Sequence, residues 1–212
     1  MLKNKELEFE TLGDLSSAKS CLVFIHGWKG NKNSFKPFAK SFNVKDSIWY
    51  LPQAPYMVDD NPENFSWTYE ISKGKYEREE PVKLLLDFFK NKILSQFNSK
   101  DVFLLGFSQG ALVCFEMIKI FDKPLGGIFP IGGFMGGNKK DIRRIHPSQL
   151  DTPIIIGHGK QDEVISIEES KLAYELLSKE SQNILFEPYQ GGHKIGYGYI
   201  KKIREIIEKK YK

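Results

Sequence analysis

The sequence predicts a single α/β domain, a mostly parallel sheet with helices on both faces. Three observations carry this. Runs such as Cys21-Leu22-Val23-Phe24-Ile25 and Val102-Phe103-Leu104-Leu105 are continuously apolar, the mark of strands buried on both faces. Other stretches place apolar residues at helical spacing with charges between them. The two patterns alternate along the chain, as a parallel sheet with crossover helices requires. The 212 residues suit one domain, 1–212, with a sizeable core and little or no lid. No repeat, low-complexity segment or linker interrupts it.

In chain order, residues 7–10 alternate like an edge strand. Residues 21–25 form a buried strand that ends at His26-Gly27, and residues 48–51 form another, closed by Pro52 and Pro55. From Pro81 a helix is expected, with Val82, Leu85, Leu86, Phe89, Ile93 and Phe97 along one face. A strand over 102–105 leads to a helix from Gln109 to about Phe121. This helix is apolar nearly all round and should be deeply buried. A strand over 125–131 precedes the glycine-rich loop 132–137. Ile154-Ile155-Ile156 is a strand entered through Pro153. Ser166 and Glu169 form a capping box that opens a helix to about Leu177. Residues 183–186 are the last strand, and Tyr199, Ile200, Ile203, Ile206 and Ile207 form the stripe of a final helix.

Composition narrows the function classes. It is ordinary for a globular protein, so disorder is not favoured. The opening Met1-Leu2-Lys3-Asn4-Lys5-Glu6-Leu7-Glu8 lacks the apolar core of a signal peptide, and no apolar run is long enough to span a bilayer. A cytoplasmic protein is expected. Cys21 and Cys114 lie in apolar contexts and read as buried thiols rather than a disulfide. The net charge of +4 is spread along the chain. The densest basic stretch, 201–210, is interleaved with Glu205 and Glu208 and reads as a solvated helix face rather than a nucleic-acid patch.

The chemistry concentrates after the strands. Gly106-Phe107-Ser108-Gln109-Gly110 stands between a strand and a helix. There G-x-S-x-G is a nucleophile elbow, the tight turn that exposes a serine hydroxyl. Five residues alone are a weak signal, but two further placements support them. Asp162 follows the strand 154–156, and His193 follows the last strand in Gly191-Gly192-His193. Active-site groups of such sheets gather at the carboxyl ends of the strands, and the order Ser, Asp, His is that of α/β-hydrolases. His193 is expected to take the Ser108 proton, and Asp162 to fix the imidazole tautomer. Asp162 is preferred to Glu163 and, more remotely, to Asp151. Two backbone N–H groups should stabilise the oxyanion: that of Gln109, valued for its backbone rather than its side chain, and that of Trp28 in the loop after the early strand. His26 is expected to tie loops together beneath that site, and His158 to support the acid loop. His146 has no assigned role. No P-loop, H-E-x-x-H, paired C-x-x-C or G-x-G-x-x-G after a strand is present.

With these residues placed, the chain resembles the carboxylesterase/phospholipase branch of the α/β-hydrolases, which includes acyl-protein thioesterases and small bacterial carboxylesterases. The matching pieces span most of the chain: Phe24-Ile25-His26-Gly27, Leu51-Pro52-Gln53-Ala54-Pro55, Trp67, Gly106-Phe107-Ser108-Gln109-Gly110, Gly157-His158-Gly159 with Asp162 and Val164, and Gly192-His193. The resemblance implies an α/β-hydrolase fold acting on carboxylic esters or thioesters. It implies the triad Ser108, Asp162 and His193, oxyanion donors Trp28 and Gln109, and neither cofactor nor metal. The chain departs from the family at Trp28, where leucine is frequent, and in the glycine-rich 132–137 loop. Trp28, Met57, Phe65, Trp67, Phe134 and Met135 could form an apolar slot for an acyl or aryl group.

The expected activity is hydrolysis of short to medium acyl esters of small molecules through an acyl-enzyme. The alternatives are an acyl-protein thioesterase or lysophospholipase with transient membrane-surface contact, a serine peptidase, and a binding module with a silent triad. No nucleic-acid partner is expected. The oligomeric state is left open between monomer and homodimer.

Overall fold

The computed structural model describes residues 6–136 and 144–211. Met1–Lys5 of the opening segment and Gly137 of the glycine-rich loop lie outside the described residues. The elements are β1 (Phe9–Leu12), β2 (Ser20–Ile25), α1 (Lys36–Phe42), β3 (Ser47–Pro52), β4 (Tyr56–Val58), β5 (Asn61–Ser66), β6 (Tyr69–Ser72), β7 (Lys75–Glu77), α2 (Glu79–Phe88), β8 (Val102–Phe107), α3 (Gln109–Ile120), β9 (Gly127–Ile131), β10 (Ile154–Gly159), α4 (Ile167–Leu177), β11 (Ile184–Tyr189) and α5 (Tyr197–Lys209). The main sheet has seven strands in the order β1-β3-β2-β8-β9-β10-β11. β1 is antiparallel to β3; every other pair in it is parallel.

Successive strand residues feed opposite faces, because side chains alternate across a strand. Cys21, Val23, Ile25, Val102 and Leu104 join the core with Val82 and Leu85 of α2, Val113 and Met117 of α3, and Ala173 and Leu177 of α4. Leu22, Phe24, Phe103 and Leu105 join a second core with Ala39 and Phe42 of α1 and Tyr199, Ile203 and Ile207 of α5. Both faces are thus filled, which explains the absence of alternation in the sequence. Each fully buried aliphatic side chain contributes about 1.5–3 kcal/mol.

The expected elements are present with shifted edges. The edge strand runs over Phe9–Leu12 rather than 7–10, because Leu7 is already buried as an anchor before the pairing begins. The helix expected from Pro81 starts at Glu79, where the Glu77 carboxylate accepts the N–H groups of Glu79 and Glu80. It continues as one π-helical turn, Phe89–Ile93, with the Leu94 N–H donating to the Phe89 carbonyl at 2.8 Å. The Ser166 cap bonds the Glu168 N–H at 3.3 Å, not that of Glu169. The stretch between β3 and α2 carries two small antiparallel hairpins, β4–β5 and β6–β7, where no element was expected. α1 was likewise unexpected.

Cys21 and Cys114 are buried free thiols, and burial pushes both thiols up. The basic end of α5 is paired: Lys202 with Glu187, Arg204 with Glu208, and Lys210 with Asp101. Among the described residues no helix is long and apolar enough to cross a membrane.

The fold positions the elbow by close backbone approach. A methyl group on Gly110 would lie 2.1 Å from the Ile25 carbonyl oxygen, and one on Gly106 would lie 2.2 Å from the Gly110 carbonyl oxygen. Backbone cannot give way as a flexible side chain can. Gly110→Ala should therefore cost at least ~3 kcal/mol of unfolding free energy, read from urea denaturation. An unchanged midpoint would contradict this packing.

Candidate active site

Ser108 sits between β8 and α3 with φ 56° and ψ −116°. A non-glycine residue with φ in this range costs about 1–3 kcal/mol and persists only where its surroundings hold it. They do so here: the Ser108 N–H donates to the Ile131 carbonyl at 2.8 Å, and the Ser108 carbonyl accepts from the Ala111 N–H at 2.9 Å. The turn sets the Ser108 side chain beside Gly27. A methyl on Gly27 would stand 3.7 Å from Ser108 Oγ.

Asp162 and His193 come from the loops after β10 and β11. These two strands pair in parallel, so their exits lie side by side. The loops are stitched together. The Gln161 N–H donates to the Gly191 carbonyl at 2.9 Å, and the Gly191 N–H donates to Gln161 Oε1 at 2.7 Å. The Tyr189 hydroxyl donates to the Lys194 carbonyl at 2.6 Å, closing the His193 loop from below.

His193 Nδ1 is 2.7 Å from Asp162 Oδ2. A carboxylate only accepts, so Nδ1 carries the proton and Nε2 keeps its lone pair. The Phe107 ring packs on the imidazole at 4.7 Å between centroids, which joins the residue before the serine to His193. Gly132 approaches both partners. With φ 56°, it donates its N–H to the Gly157 carbonyl, and a methyl there would lie 3.6 Å from Asp162 Oδ2 and 3.8 Å from His193 Cε1.

The Asp162 side chain is 1% exposed. Burial by itself would push its carboxyl up. The Ile165 N–H at 3.0 Å, the His193 ring and the Val164 N–H at 2.9 Å outweigh burial and hold the carboxyl below its ordinary range. Asp162 is thereby kept ionised beside the imidazole. Glu163, the nearest competitor, makes no contact of this kind.

At the other side of the elbow, the Gln109 N–H is the first of α3 and has no carbonyl one turn earlier to bond. The Lys29 and Gly30 N–H groups bond to the Phe65 and Gly27 carbonyls, whereas the Trp28 N–H makes no backbone bond among the described residues. A bridge between Gly30 and Phe65 fixes the Trp28 loop against β5. Beneath it lies His26, 2% exposed. The Ala54 N–H donates to its Nε2 at 3.0 Å, so Nδ1 holds the proton and donates to the Gly27 carbonyl at 2.7 Å. Burial lowers this imidazole to about 4, the Gly27 bond opposing only in part. His26 is a neutral strut that ties three segments together, as expected.

The slot residues part company. Trp28 is 58% exposed and Met57 53%; Phe134 is also exposed, and Met135 is half-buried against the core. Trp67, expected in the slot, is 1% exposed. Its indole N–H donates to the His26 carbonyl at 3.1 Å, so it is scaffold under the loop. A partly buried Phe65 pairs with Met57 across the first hairpin.

The sequence undervalued the Gln109 side chain. Its Oε1 accepts from the Trp67 N–H at 2.9 Å, and its Nε2 donates to Ser66 Oγ and Thr68 Oγ1, both at 2.9 Å. It clamps the hairpin segment to the elbow. The partners lie about forty residues away in sequence, so no local pattern betrays them. The contact of Phe107 with His193 was missed for the same reason. His146 serves locally, its Nδ1 accepting from the Ser148 N–H. Among the described residues no group of three or more His, Cys, Asp or Glu side chains is placed to hold a metal ion.

The sheet order, the elbow at the end of β8 and the paired loops after β10 and β11 define an α/β-hydrolase. The family profile described as phospholipase/carboxylesterase matches residues 10–211, and the chain belongs to that family of ester hydrolases. It is 28% identical over 194 residues to acyl-protein thioesterase 1 of Debaryomyces hansenii, covering 82% of this chain and 83% of that protein. It is 27% identical over 208 residues to a protein of Oryza sativa subsp. japonica named as a probable inactive carboxylesterase, covering 89% and 83%. The crystal structure of esterase PE8 has the same fold, with TM-score 0.80 at 22% identity over 96% of this chain and 99% of that one.

His26 gives the fold a pH signature. Its folded-state value of about 4 lies below the ordinary histidine value, so the unfolded chain binds the extra proton first. Its contribution is complete at pH 7 and is lost as pH falls through the interval down to about 4. The loss should reach ~3 kcal/mol, from about 1.4 kcal/mol per pH unit. Urea denaturation at stepped pH should show it, with a shallower slope in His26→Gln. Equal slopes would remove His26 as the cause.

Proposed function

We propose that this protein is a serine hydrolase that cleaves carboxylic esters with short to medium acyl chains through an acyl-enzyme. The observation that carries this reading is the 2.7 Å bond between His193 Nδ1 and the buried Asp162, with Ser108 held at the neighbouring elbow. His193 Nε2 takes the Ser108 proton as Oγ attacks the ester carbonyl. The tetrahedral oxyanion is met by the N–H groups of Gln109 and Trp28. His193 returns the proton to the leaving alcohol as the C–O bond breaks. Water, deprotonated by the same imidazole, then attacks the acyl-enzyme, and Ser108 leaves with the proton. Asp162 holds the tautomer and stabilises the imidazolium.

The acyl preference draws on the exposed Trp28, Met57 and Phe134 around the elbow. A second reading, thioester cleavage on acylated substrates at a membrane surface, draws on the relative named acyl-protein thioesterase 1 and on exposed Tyr69, Ile71 and Tyr76 of the second hairpin.

A panel of aryl esters and matching thioesters of rising acyl length tests both. Turnover highest at short to medium oxygen esters is expected; a rise toward long chains or sulfur esters favours the second reading. Correctly folded protein that turns over no member, and whose Ser108 resists a fluorophosphonate probe, would leave a binding module. Ser108→Ala and His193→Ala should each cut kcat by several orders of magnitude, roughly 10⁴-fold or more, and the double variant by little beyond that. Additive losses would contradict a single catalytic unit. Activity should also fall as pH is lowered, since a protonated imidazole cannot accept the serine proton. A profile flat from about pH 5 to 8 would exclude His193 as base.

A further inference from the structure

The stretch Phe65-Ser66-Trp67-Thr68, which leads from the end of β5 to β6, is bonded to two loops at once, and the catalytic scheme above gives it no task. On one side it grips the loop of Trp28. The Phe65 carbonyl accepts from the Lys29 N–H at 2.9 Å, and the Phe65 N–H donates to the Gly30 carbonyl at 3.1 Å. The Trp67 indole N–H donates to the His26 carbonyl at 3.1 Å. On the other side it grips the Gln109 side chain. The Trp67 backbone N–H donates to Gln109 Oε1, and Gln109 Nε2 donates to Ser66 Oγ and Thr68 Oγ1, each at 2.9 Å. A backbone N–H only donates, so it decides which end of the amide faces it. Ser66, Trp67 and Gln109 are all buried.

Trp28 and Gln109, as oxyanion donors, have to bring N–H groups from two separate loops to one oxygen. β2 and β8 lie side by side, but their pairing ends at Ile25 and Gly106, short of both donors. The sheet alone therefore does not set the spacing of the two N–H groups. Such donors are effective only within about 2.7–3.1 Å of the developing charge. A misplacement of about 1 Å can cost about 10²-fold in rate. We propose that Trp67 is a positioning residue for ester hydrolysis: its indole N–H on the His26 carbonyl and its backbone N–H on the Gln109 side chain set the Trp28 and Gln109 backbone N–H groups to one oxyanion. The proposal rests on the serine-hydrolase reading of Ser108 and of those two donors.

Packing alone does not ask for this arrangement. The Trp67 ring lies beneath His26, 5.4 Å between ring centroids, and a phenylalanine ring could occupy that place. What phenylalanine lacks is the N–H on the His26 carbonyl. Likewise, a methionine at 109 matches the length of the glutamine and lacks its amide bonds to Ser66, Trp67 and Thr68.

Trp67→Phe and Gln109→Met therefore separate the bonds from the volume. Trp49→Phe, in β3 within the second core, controls for the loss of a buried indole. Each would be compared with the wild type, at a temperature where circular dichroism shows it folded, by kcat and KM on an aryl acetate and by the Kd of phenylboronic acid. The boron takes the Ser108 oxygen and becomes tetrahedral, so that one of its hydroxyl oxygens stands in for the oxyanion. For Trp67→Phe we expect kcat lower by about tenfold, for Gln109→Met by about tenfold to a hundredfold, and KM within about twofold in both. The boronate Kd should rise by the factor that kcat loses, and Trp49→Phe should keep the wild-type kcat and Kd. Folded variants with kcat within about twofold of the wild type, a boronate Kd that does not follow kcat, or an equal loss in Trp49→Phe would overturn the proposal.

Hydrogen exchange in the wild type decides the matter even if a variant fails to fold. A ligand that needs the closed arrangement must protect it. At about ten times its Kd, the boronate should slow exchange of the Trp67 indole and backbone N–H groups by about tenfold. The Trp49 indole N–H should gain less. No gain at Trp67, or an equal gain at Trp49, would overturn the proposal. If the wild type neither turns over the ester nor is labelled at Ser108 by a fluorophosphonate, the serine-hydrolase reading fails and takes the proposal with it. A wild type that does both, beside folded variants of undiminished kcat, removes the proposal alone.

Discussion

The Asp162 side chain is 1% exposed, and an ionised carboxylate withdrawn from water costs several kcal/mol unless donors surround it. Meeting that requirement shapes this end of the sheet. Two of the donors are backbone N–H groups, Val164 and Ile165, so the loop after β10 has to curl back over its own aspartate. That curl delivers Ser166 as the cap of α4, and α4 in turn carries Ser170 beneath His158. A third donor is His193, which can reach Oδ2 only because the loops after β10 and β11 are bonded to one another. Solvation of one buried charge thus fixes a loop, a helix start and the orientation of the His193 ring.

The elbow follows a different balance. Ser108 holds a backbone conformation that costs about 1–3 kcal/mol. The offset comes from α3, whose buried residues include Ala111, Leu112, Val113, Cys114, Phe115, Met117 and Ile118. Several such side chains at about 1.5–3 kcal/mol each exceed the strain comfortably. Packing wins, but only because Gly106 and Gly110 let the helix start approach β8 and β2 so closely. The helix whose nearly all-round apolarity predicted deep burial is the one whose packing holds the strained turn at Ser108.

Continuous apolar runs revealed the sheet, because a parallel sheet covered on both sides leaves no polar face to alternate. The placement of Ser108, Asp162 and His193 beyond strand ends was legible because each follows such a run. The hairpins were not. β6 is exposed throughout and β5 over its first half, so burial imposes no repeating pattern on them. The first turn uses Asp59 and Asp60, both at positive φ, where glycine would have signalled it. α1 lacks a side-chain cap bond and owes its place to tertiary contacts, among them Phe35 stacked on Phe24 at 4.0 Å. The Trp67 expectation failed because an aromatic residue in a catalytic-end loop looks the same in sequence whether it faces a ligand or holds up the loop.

The three histidines at this end differ by what their nitrogens meet. His26 meets one donor and one acceptor, which a neutral ring satisfies completely. It can be rigid at no electrostatic cost, and it braces the backbone that leads into the Trp28 loop. His193 meets a carboxylate at Nδ1 and, among the described residues, no hydrogen-bond partner at Nε2, so the ring is oriented from one side. His158 meets the Ile165 carbonyl at Nε2 and a hydroxyl at Nδ1 that itself has another acceptor within reach. One residue type thus serves as a strut at His26, as the partner of a buried carboxylate at His193 and as a brace of the loop after β10 at His158. The backbone carbonyls and N–H groups around each ring, rather than the ring itself, decide which.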